Sequence, residues 1–222
     1  IRKAGYEFDK MRKRILKHLN QRSDMLSGIS HDLRTPLTRM KLQLALIKDM
    51  EISKKLSTDV DEMEKMLNEY LQFSKSTFTD RTESFNISEL ILSTIKRYEN
   101  KNISLEQTEN YFFTGRKNLI QRCLNNLIDN AIKYGKNIKI RQEKIKKKIL
   151  IFIEDDGPGI HHSEYENVFK PFYKIDKSRS DSKSSVGLGL SISSDIIRSH
   201  GGNIELDKSN LGGLRIKISL PV

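Results

Sequence analysis

The chain has a single cysteine, Cys123, among its 222 residues. That excludes an internal disulfide and a Cys-rich zinc site, and it suits a reducing compartment. No apolar run approaches the ~20 residues that a membrane-spanning helix needs. No signal-peptide pattern is present, and the first residue is Ile1 rather than Met, so the expectation is a soluble piece of a longer protein. The first 76 residues also lack any strand pattern or hairpin turn, and their only glycines are Gly5 and Gly28. An all-β or α/β reading of that stretch is thereby excluded.

What is present is charge: 40 Lys and Arg against 29 Asp and Glu, a net +11, with 36% hydrophobic residues. Small cores with much charged surface follow. The positive balance admits nucleic acid, acidic lipid or an anionic ligand such as a nucleotide. No recognition-helix pattern and no aromatic–basic interleaving occurs, so no nucleic-acid partner is expected.

The character of the chain changes near residues 76 to 86. Before it, Leu26, Ile29, Leu33, Leu37, Met40, Leu44 and Ile47 recur at steps of three and four, as do Leu56, Val60, Met63, Leu67 and Tyr70. That spacing makes a narrow apolar seam on two helices. Two helices make only a thin layer, so the unsatisfied stripe predicts a homodimer with a four-helix bundle. Residues 1–22, dense in Lys and Arg, read as a helical lead-in, either a solvated face or a juxtamembrane basic stretch. Residues 23–78 are the helical hairpin and 84–222 an α/β domain.

In that second domain the patterns predict a short first strand and a helix capped near Asn86 or Ser88. Strands follow at Ile103 to Gln107 and Tyr111 to Thr114, then a helix from Lys117 to Tyr134 ending before Gly135. Strands at Asn137 to Ile140 and Ile149 to Ile153 bracket a lysine-rich turn. A helix from Leu188 to Ser199 and a hairpin around Gly212-Gly213 close the chain. The expected result is a sheet covered by helices on one face.

His31 lies two residues from Ile29 and two from Leu33, so on a helix it points away from the seam into solvent. An exposed imidazole on a rigid bundle is a usable nucleophile. Asp32 beside it can accept the other ring N–H, and Thr35 at i+4 can hold a water or a phosphoryl oxygen. Pro36 inside the periodic stretch predicts a kink. Asn126, Asn130 and Lys133 share the face of the 117–134 helix opposite its apolar side. Asparagine is a poor helix-interior residue, so the pair is either an exposed polar face or a set of amides for a hydrated Mg²⁺. Asp155-Asp156-Gly157-Pro158-Gly159-Ile160 follows a strand. Its glycines let the backbone turn sharply against a flat ligand, with Asp156 taken as the carboxylate that accepts from an exocyclic amine; an ordinary Asp-Gly turn is the alternative. Gly187-Leu188-Gly189-Leu190 precedes a helix, where freed backbone N–H groups can face phosphates. The Ser-, Asp- and Lys-rich stretch from Lys174 to Ser185 reads as a mobile lid with Lys174, Lys177, Arg179 and Lys183 able to meet a polyphosphate. His200, at a helix end, would suit the dipole if partly charged. His161 and His162 read as a solvated loop, and Lys144, Lys146, Lys147 and Lys148 as a solvated turn.

Ser30-His31-Asp32-Leu33-Arg34-Thr35-Pro36-Leu37 resembles the phosphoacceptor box of sensor histidine kinases, and Gly28 to Arg39 looks most like the osmosensing type. Asn126 to Tyr134 looks like the N box of that family, Asp155 to Ile160 like the first glycine box, Phe169-Lys170-Pro171-Phe172 like the F box and Gly187 to Leu190 like the second glycine box. The resemblance covers about residues 20 to 222 and implies a dimeric helical hairpin followed by a GHKL-type ATP-binding α/β sandwich. It implies ATP-dependent phosphorylation of His31, with Asp32 as acid/base partner and Thr35 placing a water for the reverse, phosphatase step. ATP-Mg²⁺ would be held by Asn126, Asn130 (the metal ligand), Lys133, Tyr134, Asp156, Gly157, Gly159, Ile160, Lys174, Ile175, Asp176, Gly187, Leu188, Gly189 and Leu190. The partner would be a response regulator receiver domain, and the chain the cytoplasmic portion of a bacterial inner-membrane protein. Ser185-Val186 replaces the Gly-Thr that often precedes Gly-Leu-Gly-Leu, and Lys174 stands where arginine is frequent, so activity is expected, at a reduced level. A dimeric nucleotide-sensing scaffold or phosphatase-only protein is the alternative.

Overall fold

The computed structural model describes residues 6–7, 9–11, 13–14, 29, 32–47, 49–79, 81–98, 101–106, 109–175 and 187–222. Two compact units result, Ile1–Thr79 and Asp80–Val222.

In the first unit, helix α1 covers residues 32–44 and runs on through Pro36. Helix α2 is Met50–Thr79, started by Asp49, whose Oδ1 accepts from the backbone N–H groups of Glu51 and Ile52. A side-chain acceptor there satisfies donors that the first helical turn leaves open. The two helices are antiparallel. Arg34 donates to Asn68 Oδ1 at 3.1 Å, Lys41 reaches both Asp61 and Glu64, and Ser53 Oγ donates to Leu44 O at 2.7 Å. Of the expected seam, Leu37 and Val60 are buried, while Leu33, Met40, Ile47, Leu56 and Met63 are 40–51% exposed in the single chain. Leu26 and the side chain of Tyr70 lie outside the described residues.

The second unit begins with β1 (Glu83–Asn86) and α3 (Ile87–Ile95). Asn86 caps α3 by accepting from Ser88 N and Glu89 N, and its own amide donates to Glu89, a reciprocal pair that fits the expected start. β2 (Asn102–Glu106) and β3 (Phe112–Gly115) lead to α4 (Lys117–Tyr134). Then come β4 (Asn137–Ile145), β5 (Lys148–Asp155), α5 (Gly189–Ser199), β6 (Asn203–Lys208) and β7 (Leu214–Pro221). β1 pairs with β3; the main sheet has the order β2-β4-β5-β7-β6, parallel only between β2 and β4. β4 and β5 are longer than their apolar cores suggest, because Ile145 still pairs with Lys148 and only Lys146-Lys147 remain to turn.

Period-two alternation sorts the sheet into two faces. Register places Ile140, Ile153 and Ile216 side by side, with Ile151 and Ile218 next to them. All five are at most 1% exposed, on the face that α4 and α5 pack against. The opposite face carries Arg141, Phe152, Glu154, Arg215, Lys217 and Glu205. There the Arg141 guanidinium lies 3.6 Å over the Phe152 ring, and Arg215 Nε is 2.9 Å from Glu154. The expected helix-covered face is therefore present, and a lattice of charge with cation stems shields the other. No helix among the described residues is long and apolar enough to cross a membrane.

Candidate functional site

The amphipathic pattern of α4 buries Leu119, Ile120, Cys123, Leu124, Leu127, Ile128 and Ala131. The same 3.6-residue period leaves Asn126 and Asn130 half-buried at its opposite border. Asn126 Nδ2 lies 3.5 Å from Gly189 O, at the start of α5. A Cβ on Gly189 would sit 3.9 Å from the Asn126 Cβ, so α4 and the N-terminus of α5 are in van der Waals register at this point. Leu188, the N-cap of α5, supplies no side-chain cap. The N–H groups of the first turn are thus left to whatever occupies the space before them.

At its other end α4 abuts the turn after β5. A Cβ on Gly157 would fall 2.8 Å from Tyr134 O, and one on Gly135 would fall 2.9 Å from the Asp155 Cβ. Tyr134 is half-exposed, with Lys133 Nζ 5.0 Å from its ring centroid. Gly159 has φ +69° and Gly187 φ +79°, the left-handed region that favours glycine. Phe172 N donates to Gly187 O at 3.0 Å, which ties the F-box segment to the start of the second glycine box. Leu188 is buried and Ile160 half-buried. Lys174 and Ile175 are exposed. Asp176, Lys177, Arg179, Lys183, Ser185 and Val186 lie outside the described residues. So do Gly28, Ser30 and His31, while Asp32 and Thr35 stand exposed in the first turn of α1.

The two adjacent aspartates separate sharply. Asp156 Oδ1 accepts from Lys136 N at 2.7 Å and from Asn137 N at 2.9 Å, and its Oδ2 accepts from Asn137 Nδ2 at 2.6 Å. Those bonds to Asn137 and Lys136 hold its carboxyl below the ordinary range. These three bonds commit the Asp156 carboxylate to pinning the α4–β4 turn. Asp155, the last residue of β5, pairs with Ile138 on the helix-covered face and is 5% exposed. Its Oδ1 accepts from Gly157 N at 2.8 Å and Leu214 N at 3.2 Å, and Oδ2 takes neither bond. Burial raises its pKa, against the pull of the Leu214 and Gly157 N–H groups.

Two expectations change. His200 is not a charged cap: its Nδ1 lies 2.7 Å from Ile196 O and its Nε2 accepts from Arg116 N at 3.0 Å. Burial lowers its pKa, and an Nε2 that accepts a backbone N–H leaves the ring proton on Nδ1, facing Ile196 O. His161 is exposed, as expected, but its Nδ1 accepts from Ser163 N and starts a short helical turn.

No group of three or more His, Cys, Asp or Glu side chains that could hold a metal occurs among the described residues. An ion held here would draw on amide oxygen, water and phosphate, the usual mode for Mg²⁺.

Residues 115–222 match the model of the histidine kinase-, DNA gyrase B- and HSP90-like ATPases, and residues 21–78 match the His Kinase A (phospho-acceptor) domain. The chain is 33% identical over 216 residues to the sensor histidine kinase GtrS of Pseudomonas aeruginosa, covering 96% of this chain and 45% of that protein. It is 30% identical over 233 residues to the sensor histidine kinase CpxA of Escherichia coli, covering 99% and 51%. It spans about half the length of the curated relatives it matches. Among solved structures, the histidine kinase AdeS of Acinetobacter baumannii is similar at 25% identity and TM-score 0.60, over 86% of this chain and 97% of that one. With the helical hairpin, the mixed sheet under α4 and α5 and the glycine turns in place, the chain belongs to the sensor histidine kinases of two-component systems.

Proposed function

We propose that this chain binds ATP-Mg²⁺ in its second unit, transfers the γ-phosphoryl group to His31, and passes it on to an aspartate of a response regulator receiver domain. One observation carries the nucleotide part. In a single unit, the amide face of α4, the Asp155–Ile160 turn and the uncapped start of α5 border one another through Asn126–Gly189 and Tyr134–Gly157. Asp155, its Oδ1 held by two backbone N–H groups, reads the exocyclic amine of adenine, in place of Asp156. Gly157 and Gly159 lie against the base, with Ile160 at the rim. The N–H groups of Gly189 and Leu190 face the phosphates, with Gly187 and Leu188 shaping the approach. Asn126 and Asn130 offer amide oxygens to the metal, Asn130 directly. Lys133, Tyr134 and Lys174 reach the phosphates and nucleoside from the edge, and Ile175 continues that edge.

When bound, Mg²⁺ neutralises charge on the phosphates, and phosphoryl transfer asks little of the protein beyond positioning and electrostatics. His31 is the nucleophile, Asp32 orients its ring and takes or holds the ring proton, and Thr35 positions a water for the reverse reaction. The exposed apolar stripe of the hairpin, Leu33, Met40, Ile47, Leu56 and Met63, supports a homodimer built on a four-helix bundle. The chain would be the cytoplasmic portion of a bacterial inner-membrane sensor, joined to it through the basic residues 1–22.

The test is incubation with labelled ATP-Mg²⁺. The wild-type chain incorporates label that is acid-labile and base-stable, while His31→Gln and Asn130→Ala do not. Incorporation by His31→Gln at the wild-type rate refutes the assignment. Nucleotide binding without any label on the wild type would instead make the chain a nucleotide-sensing scaffold.

A further inference from the structure

Gly212-Gly213 in the β6–β7 connection plays no part in the proposed site, yet Gly213 lies closer to the Asp155 carboxylate than any side chain would permit. A Cβ built on it would stand 2.3 Å from Asp155 Oδ1, 2.5 Å from Gly157 N and 2.7 Å from Asp155 O. The backbone of the same residue donates to Asp155 O at 3.1 Å, and the next N–H, from Leu214, goes to Asp155 Oδ1. A Cβ on Gly159 would meet Gly213 O at 3.4 Å. The first glycine turn therefore rests on the backbone of Gly213 from two sides.

What keeps this connection in place is on the opposite face of the sheet. Ser209 N donates to Gly213 O at 2.9 Å and Gly212 N to Ser209 O at 3.1 Å, with Gly212 at φ +106°. The closed turn is anchored by Glu154, which is 3% exposed. Its Oε2 accepts from Ser209 Oγ and from Asn210 N, each at 3.3 Å, and its Oε1 accepts from Arg215 Nε at 2.9 Å. Glu154 and Asp155 are adjacent, so strand pleating sends one side chain to each face. One carboxylate grips the turn from the open face, and the turn then grips the other carboxylate from the helix-covered face.

We propose that the β6–β7 turn is the positioning element of the base-reading carboxylate, with Gly213 as its point of contact and Glu154 as its anchor, so that residues outside the nucleotide motifs set selectivity for the exocyclic amine of adenine. This rests on the assignment of Asp155 as the base reader. A carboxylate held by two N–H groups loses little orientational freedom when it accepts a third bond. A hydrogen bond to a charged group contributes about 1.5–3 kcal/mol, roughly a 10- to 150-fold preference. Displacing the turn forfeits that preference without touching the phosphate contacts.

The experiment compares ATP with inosine triphosphate, which carries a carbonyl in place of the exocyclic amine, in Mg²⁺-containing titrations of the whole chain. Wild type binds ATP at least about tenfold more tightly, and Asp155→Asn brings the ratio near one. Gly213→Ala and Glu154→Gln also bring the ratio toward one, by weakening ATP while inosine triphosphate affinity stays within about threefold. Ser209→Ala, which removes a single bond to Glu154, moves it in the same direction and stands in should Gly213→Ala fail to fold. Equal weakening of both nucleotides, or an unchanged ratio in folded Glu154→Gln and Ser209→Ala, overturns the inference. A ratio unaffected by Asp155→Asn overturns the base-reading assignment itself, and wild type that binds neither nucleotide overturns the functional reading.

Discussion

His200 Nε2 accepts the backbone N–H of Arg116 at 3.0 Å, which joins the C-terminal end of α5 to the N-terminal end of α4. The Arg116 guanidinium adds bonds to Ser199 O and Ser199 Oγ on the same helix end. The Phe113 ring, centred 5.9 Å from the imidazole, closes the other side. A protonated ring would lose the Arg116 bond, face that guanidinium, and carry its charge into a partly dry site.

Because burial depresses the folded-state pKa of His200, the unfolded chain binds more protons below about pH 6.5. The stabilisation is complete above that pH and is lost as pH falls through it toward the folded value. Thermal unfolding of the second unit should therefore shift downward between pH 7 and pH 5. His200→Gln should lower the pH 7 midpoint and flatten that dependence; an undiminished slope in the variant would assign the effect elsewhere.

The neighbouring aspartates predict opposite phenotypes. Asp155→Asn should weaken ATP by tenfold or more with a small change in unfolding midpoint, since the amide still accepts from Gly157 and Leu214. Asp156→Ala should leave ATP within a few-fold but lower the midpoint, because three donors on Lys136 and Asn137 lose their acceptor. Calorimetric titration and thermal melts on the same samples separate the two.

Cys123 is 1% exposed, and burial pushes its thiol up to about 12. The thiolate is the reactive form, so the native chain should resist a maleimide for hours and react with one equivalent at once in guanidinium. Rapid native labelling would mean that α4 separates readily from α5, where Ser193 O lies 3.9 Å from the sulfur.

On the hairpin, Met63→Glu places charge in the exposed stripe. Sedimentation should show dimerisation weakened by more than tenfold, with the unfolding midpoint of the second unit unchanged. Leu37→Ala should act differently. Leu37 is 6% exposed within one chain, so its truncation should cost the hairpin itself about 2–4 kcal/mol.

Helix and strand identities were legible in the sequence because each rests on local chemistry. The 3.6-residue spacing of the apolar positions from Leu119 to Ala131, the Asn86 cap and the Gly135 stop all act within a few residues of themselves. The two-helix seam was legible for the same reason, and so was its incompleteness. The role of His200 was not, since the donor it accepts from is 84 residues away in sequence.

Sequence alone determined the order of motifs, the α/β character of the second unit and the clustering of amides and glycines, all encoded by spacing along one element. Only the tertiary structure gave Asp155 and Asp156 different surroundings. The pairing of β5 with β4 turns one side chain under the helices, while the α4–β4 turn captures the next. The same packing brought Gly213 against Asp155 and Glu154 against Ser209, because residues more than fifty positions apart meet only once β7 has paired with β5.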